Sequence, residues 1–466
     1  MKIKRYIGDR AFYKMVLGIA VPIMVQNGVS NLVSLLDNLM IGRVGTNALS
    51  GVAIANQLIF VYYLLIFGAS AGVGIFTAQY HGCGDITGER YTFRFKLVIN
   101  TILSVASIFI FLYNAPFLIG LFLKGEGSPA DAAETLAIGM SYMKVMLIGL
   151  IPIGITNSYA GTLRDTGQTK VPMMSSIIAI FVNLFGNMLL IYGLLGLPAL
   201  GAVGAAVATV ISRFVEMGVL MIYTARHSSE HRFIIGAFKD FKIPLYLCGR
   251  FILKSLPLMA NETLWALGQT AMNQSYSYRS LDAVAALNIE STIWNFLGVA
   301  FLAMGEAVGI IVGQILGSGD IDKAKDTADK MRAFTVALGL CFGCLMLAVS
   351  GVFPHLYRTA DRIREMASVL IIICGVMMPF YAYTHASYFT IRSGGNTLIT
   401  FVFDSCFVWI LSVPFAFYLS RYTSLDVPHM LAAVQSLEVI KCLIGGAMVK
   451  SGIWARNIVK TKEPAA

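Results

Sequence analysis

Residues 22–85 and 257–320 are two copies of one segment, in register at a constant offset of 235 with no gap. Pro22 falls on Pro257, Met24 on Met259, Asn38 on Asn273, Ala48 on Ala283 and Ile54 on Ile289. The match tightens at its end, where V-G-I-x-x-x-Q-x-x-G-x-G-D runs from Val73 to Asp85 and again from Val308 to Asp320. Thirteen identities in 64 positions would mean little alone, but the unbroken register lays turn residues on turn residues. A duplicated chain that is also very apolar predicts a membrane protein of two homologous halves. That is a transporter architecture, because rocking two repeats exposes a site to each side of the bilayer in turn.

The chain of 466 residues is 57% hydrophobic and only 13% charged, far too apolar for a soluble protein of this size. Apolar windows of bilayer-spanning length lie near 15–42, 50–79, 97–122, 132–160, 171–195, 200–225, 251–278, 284–315, 333–355, 365–390, 397–420 and 426–449. They are too long for barrel strands, and a span must satisfy its backbone internally, so helices are expected. The predicted fold is an all-α polytopic membrane protein with twelve transmembrane helices in two homologous six-helix lobes. The expected division is an N-lobe over 1–225, a cytoplasmic connecting segment over 226–249 and a C-lobe over 250–466.

Lys and Arg in the short connections set the orientation. With the N-terminus inside, 25 of the 35 basic residues fall on cytoplasmic segments and 7 outside, leaving Lys144, Arg213 and Lys441 within spans. This predicts a multi-pass protein of the inner or plasma membrane with both termini cytoplasmic, Gly127 outside and Phe238 inside. The net charge of +10 follows from the asymmetry and calls for no nucleic acid. The basic residues 2–14 precede span 1 without an A-x-A-like cleavage pattern, and that span is too long for a signal-peptide core. Arg232, Phe233, Ile234, Phe238, Lys239, Phe241 and Lys242 fit a connecting segment lying on the inner leaflet, or equally a passive tether.

Two motifs invite over-reading. Cys341-Phe-Gly-Cys344 has metal or redox spacing but sits in an apolar helix with no second pair, so small-residue packing is expected. His227-Ser-Ser-Glu230-His231 matches H-x-x-E-H but falls in the polar connection, where a solvated charged linker is expected.

An ionisable side chain inside a bilayer costs several kcal/mol, which makes each one a functional suspect. The spans contain Asp37, Glu216, Glu262, Glu290, Glu306, Asp404 and Glu438. Arg213 with Glu216, and Lys441 with Glu438, stand three apart and are expected to neutralise one another. Glu290 fits the outer interface and Glu306 a tightly packed small-residue helix. Asp37 differs: Asn27, Ser30, Ser34 and Asp37 share one helical face, and no Lys or Arg lies within a turn. An unpaired carboxylate in a polar stripe is what binding a proton or a small cation requires. Asn183 and Asn187, one turn apart on span 5, add neutral oxygen ligands. Pro22 leaves a hinge in span 1. On span 7, Glu262, Gln269 and Asn273 make a similar stripe with Trp265 beside it and Pro257 before it. The halves match in layout and not in chemistry, since Asp37 meets Met272 and Glu262 meets Asn27 across the repeat.

Several runs together resemble the multidrug and toxic compound extrusion (MATE) family. They are Asp37-Asn-Leu-Met-Ile-Gly-Arg-Val-Gly45 with Ala48-Leu, and Thr162-Leu-Arg164-Asp-Thr-Gly167-Gln-Thr-Lys170-Val-Pro172. Thr390-Ile-Arg392-Ser-Gly-Gly-Asn-Thr397 echoes the second run at an offset of 228. Asn183-x-x-x-Asn187 followed by Gly201-Ala-Val-Gly204-Ala-Ala-Val-Ala-Thr209 completes the pattern, so the resemblance covers nearly the whole chain.

The resemblance implies a V-shaped pair of lobes around a cavity and a proton- or sodium-coupled antiporter that exports organic, cationic drugs or toxic compounds. It implies Asp37 as the N-lobe coupling carboxylate, surrounded by Asn183, Asn187 and Thr209. Asn187 stands where some members carry Asp. Glu262 matches the span 7 acid of a C-lobe cation site. The span 10 acid is missing, with Tyr381 and His385 in that region, and Asp404 is the nearest available carboxylate. Gln269, Asn273, Trp265, Asn27, Ser34 and Tyr381 are the candidate cargo contacts, and the 29 Phe, 20 Tyr and 22 Met offer an adaptable wall. The partners expected are small-molecule cargo and membrane lipid, with the chain a monomer and no cofactor beyond the coupling ion. The alternative is a related two-lobe flippase or exporter of a lipid-linked or anionic metabolite, which would line its cavity with Arg and Lys. An embedded enzyme would need clustered His or acids, and the six His are scattered.

Overall fold

The computed structural model describes residues 6–123 and 128–460. Of the residues used for orientation, Lys2, Lys4, Arg5, Lys124, Gly127 and Lys462 lie outside the described residues. Twelve long helices follow one another: α1 (Arg10–Gly42), α2 (Thr46–Cys83), α3 (Ile86–Phe122), α4 (Pro129–Asp165), α5 (Lys170–Tyr192) and α6 (Gly201–Arg226) in the first half. The second half has α7 (Leu245–Ser277), α8 (Leu281–Ser318), α9 (Ile321–Val349), α10 (Asp361–Ser393), α11 (Thr397–Tyr422) and α12 (Val427–Lys450). No strand occurs among the described residues.

Eleven of the twelve are long and apolar enough to cross a membrane. The exception is α7, whose mean hydropathy is lowered by Lys254, Asn261, Glu262, Gln269, Asn273 and Gln274. Large apolar side chains stand outward on the others, Phe181 at 68%, Ile410 at 70% and Leu443 at 72% exposure. Such a surface is stable only in a hydrocarbon solvent.

The helices outrun the hydropathy windows at their polar ends. Hydropathy starts the third and ninth spans at 97 and 333, whereas α3 starts at Ile86 and α9 at Ile321. The charged first turns of α9 are held by local pairs, Lys330 to Asp326 and Arg332 to Asp329, each at 2.6 Å. Backbone hydrogen bonding continues a helix regardless of side-chain polarity, so the apolar stretch marks the membrane core and not the helix.

The repeated Q-x-x-G-x-G-D motif has a physical reading at every fixed position. Gly84 and Gly319 adopt φ of +74° and +93°, the left-handed conformation that ends α2 and α8. Asp320 then caps α9, accepting from the Lys323 backbone N–H at 3.0 Å, and Asp85 occupies the same place before α3. The earlier glycines make a reciprocal contact. A Cβ on Gly82 would overlap the Gln314 carbonyl, and a Cβ on Gly317 would overlap the Gln79 carbonyl. Each glycine of one copy thus packs against the glutamine of the other.

Two compact units are present, one formed by residues 6–24, 78–85 and 253–460 and the other by 25–77 and 86–252. In the second of these, α4 packs against α3 and α6, and α5 against α6. In the first, α10 packs against α9 and α12, the same relations carried by the repeat-related helices, and also against α8. The chain passes from one unit to the other just after Met24 and just before Leu253, within about a turn of Pro22 and Pro257 respectively.

The connection from α6 to α7 is a shaped segment. Buried Arg94 of α3 donates to the carbonyls of Ala237 and Gly236 at 2.7 Å and of Lys242 at 2.8 Å. Phe233 is buried against Phe93, while Phe238 and Phe241 stay exposed. His227 stacks on Tyr223 one turn back, and His231 is buried near Phe233. Among the described residues, no group of three or more His, Cys, Asp or Glu side chains is placed to hold a metal ion.

Candidate ion-coupling sites

Three helices bring the polar residues of the first half together. Asp37 lies five residues before the end of α1, Asn183 and Asn187 on one face of α5, and Thr209 on α6. Asn187 Nδ2 donates to Asp37 Oδ1 at 2.6 Å and to Asn183 Oδ1 at 3.2 Å, and Asn183 Nδ2 donates to Thr209 Oγ1 at 3.0 Å. The i, i+4 spacing of the asparagines makes this chain possible, since it stacks one amide above the other. Asn183 is 5% and Asn187 0% exposed, while Asp37 remains half-buried. The Asn187 Oδ1 atom is buried with no hydrogen-bond partner, an acceptor left next to the carboxylate.

One expectation needs correcting. Asp37 is not isolated from positive charge, because Arg213, one turn beyond Thr209 on α6, acts on it electrostatically. Arg213 also pairs with Glu216 at 2.8 Å, as the spacing predicted. Glu216 accepts from Ser176 Oγ at 2.6 Å, and Ser176 in turn accepts from Gln26 Nε2 on α1 at 2.7 Å. Reading along α1 alone cannot reveal a cation delivered from α6.

A second buried charge stands one residue before the third apolar window, which begins at 97. Lys96 is fully buried, 2.6 Å from Asp165 Oδ2 and 3.4 Å from Thr162 Oγ1. Asp165 belongs to the Thr162-Leu-Arg164-Asp run. Gly74 of α2 backs it so closely that a Cβ there would press on the carboxylate.

The second half is arranged differently. Asn261, beside Glu262 on α7, donates to Asp404 Oδ2 at 3.0 Å and to Tyr388 Oη at 3.3 Å. Glu262 is half-buried, with Arg392 and Asp404 as its principal charged neighbours. Lys441 attracts Glu438, as its spacing suggested, but its ammonium forms its ion pair with Asp404 of α11 at 2.6 Å. The rotation of α12 that buries Lys441 aims its ammonium at α11. Glu290 is buried against the Cys374 thiol of α10.

Of the cargo candidates, Trp265, Asn273 and Ser34 are exposed, and Asn27, Gln269 and Tyr381 half-buried. Ser34 Oγ donates to the Ser30 carbonyl on its own helix at 3.1 Å. The charged neighbours of Tyr381 are Glu438 and Glu290, so it is set apart from the Glu262 group. Pro22 and Pro257 lie inside unbroken helices.

The MatE family model matches residues 22–189 and 257–418, one match on each repeat, beginning at the two equivalent prolines. A probable multidrug resistance protein NorM of Thermotoga maritima is 23% identical over 452 residues, covering 97% of this chain and 95% of its own length. A probable multidrug resistance protein YoeA of Bacillus subtilis is 24% identical, covering 87% of each. An outward-facing multidrug resistance MATE transporter of the MOP superfamily superposes with a TM-score of 0.84 at 18% identity, over 96% of this chain and 98% of that one. A MOP superfamily transporter from Pyrococcus furiosus superposes with a TM-score of 0.81 at 17% identity, over 97% and 98%. With both repeats matched and the twelve-helix fold shared, the chain belongs to the MatE family.

Proposed function

We propose that the protein is an efflux transporter of the cell membrane that takes in a proton and exports an organic, cationic compound by alternating access. The relatives called multidrug resistance proteins support the efflux half of this reading. The observation that carries the ion half is the chain from Asp37 through Asn187 and Asn183 to Thr209, drawn from α1, α5 and α6.

The polarity of that chain favours a proton over sodium. Asn187 turns its N–H toward the carboxylate, and Arg213 adds positive charge nearby, whereas a metal cation needs oxygens on several sides. A proton on Asp37 removes the carboxylate's negative charge and weakens the pull on Asn187 and Arg213. The state that releases cargo is favoured by at most the difference in proton affinity between the two states. Pro22 and Pro257, each lacking the N–H that would tie its turn to the preceding one, act as hinges in α1 and α7. Glu262 contributes to cargo affinity, both termini are cytoplasmic, and the transporter works as a monomer without a cofactor.

Reconstitution in proteoliposomes tests this reading. An imposed inward proton gradient should drive cargo export in sodium-free medium, and Asp37→Asn should remove that response. Export that requires sodium and persists without a pH gradient would overturn the proton assignment and leave the antiporter reading in place.

A further inference from the structure

Asp404 lies in a part of α11 where two consecutive π-helical stretches, Val402–Cys406 and Val408–Ser412, widen the backbone. Such turns are uncommon and concentrate at functional positions. Both carboxylate oxygens are engaged. Lys441 Nζ of α12 lies 2.6 Å from Oδ1, and Asn261 Nδ2 of α7 lies 3.0 Å from Oδ2. The amide is held in that sense by Ser405, whose hydroxyl donates to Asn261 Oδ1 at 2.8 Å and to the Asn261 carbonyl at 2.9 Å. The Lys441 ammonium also sits 5.5 Å from the centre of the Phe403 ring and 5.8 Å from that of Phe407. Glu438, three residues earlier on α12, adds further attraction. Lys441 is 7% exposed.

A carboxylate flanked by two aromatic faces is the chemistry that recognises a primary ammonium. Here the ammonium belongs to the chain itself. We infer that Asp404, Phe403 and Phe407 form a primary-ammonium site which the protein fills with its own Lys441, so that exchangeable cations are kept off this carboxylate. Lys441 is thus a specificity-determining residue. It removes Asp404 from the set of carboxylates open to an external cation. The inference goes beyond the coupling proposal and stands without it, because its readout is the stability of the purified protein and not transport.

The test uses the full chain in detergent with Asp37→Asn as background, which removes the candidate carboxylate of the first half. Adding Lys441→Ala should lower the unfolding temperature, and ethylammonium should then raise it saturably. A shift of about 3 °C is expected near 100 times the dissociation constant. N-methylglucamine serves as the ionic-strength control, and Asp404→Asn with Lys441→Ala should abolish the response. Indifference of the Lys441→Ala protein to ethylammonium, or equal stabilisation by sodium, overturns the assignment. A second arm needs only intact Lys441: ethylammonium and sodium should leave the Asp37→Asn background unmoved. Stabilisation there that is lost in the Asp404→Asn, Lys441→Ala protein means Lys441 does not exclude cations, and this arm decides the matter if Lys441→Ala alone fails to fold.

Discussion

At the scale of single residues, three charges of this protein are held by neighbours on other helices. Asp37 is held by Asn187, Lys96 by Asp165 and Asp404 by Lys441. Asp37→Asn keeps shape and hydrogen-bonding capacity but removes the titrating group, so gradient-driven efflux should be lost while the protein remains folded and inserted. Normal ion-driven transport by a well-expressed mutant would make Asp37 a structural residue. Lys96→Met should destabilise by roughly 3 kcal/mol, because it strands the Asp165 carboxylate. Adding Asp165→Asn should recover most of that loss, and thermal unfolding of the single and double variants measures it. His231, in the connection outside the membrane, is held below its ordinary value of 6.5 by burial. The native state therefore prefers it neutral, and its contribution is complete above 6.5 and lost as the pH falls below that. The stability deficit of wild type relative to His231→Phe should widen in that direction.

At the scale of helices, the two repeats differ most on α7. Its polar residues keep it from reading as a membrane span by apolarity, yet its length and position make it one of the twelve. Glu262 is flanked by Arg392 and Asp404, and Asp404 is already bonded to Lys441. Glu262→Gln should therefore give a partial defect, chiefly a raised KM for cargo with the ion response retained. Complete loss of coupling in proteoliposomes would sink a mechanism centred on Asp37. The helices themselves were legible in the sequence because apolar length and repeat register are properties of the chain read in one dimension. The stacking of Asn183 on Asn187 was legible for the same reason. The Arg213 contribution, the Asp404–Lys441 pair and the burial of Lys96 were not, because each depends on the rotation of one helix about its axis relative to another. For the π-helical part of α11 the one signal in the sequence is Pro414, whose missing N–H and ring disturb the turn before it; nothing within 402–412 announces the first stretch.

At the scale of the whole molecule, the basic residues of the connections fix an expected orientation that labelling can test. Phe238 is exposed on the connection that Arg94 ties to α3. A single cysteine placed there should react with an impermeant thiol reagent only from the cytoplasmic side, in a background stripped of the seven native cysteines. Labelling from outside intact cells would reverse the topology and put both termini outside.

The contact of Gly82 with Gln314 and of Gly317 with Gln79 bears on how such a chain arose. Each copy of the motif supplies both the carbonyl that is approached and the hydrogen that makes room for its partner. Such a contact is isologous, the kind one surface makes with itself about a two-fold axis. A half-length ancestor carrying the motif once would have held everything needed to form the same contact as a homodimer. Gene fusion then turns an assembly contact into an internal one and frees the halves from identity. A homodimer must repeat its carboxylate and its lysine in both subunits. Only the fused chain can keep Asp37 where its counterpart is Met272.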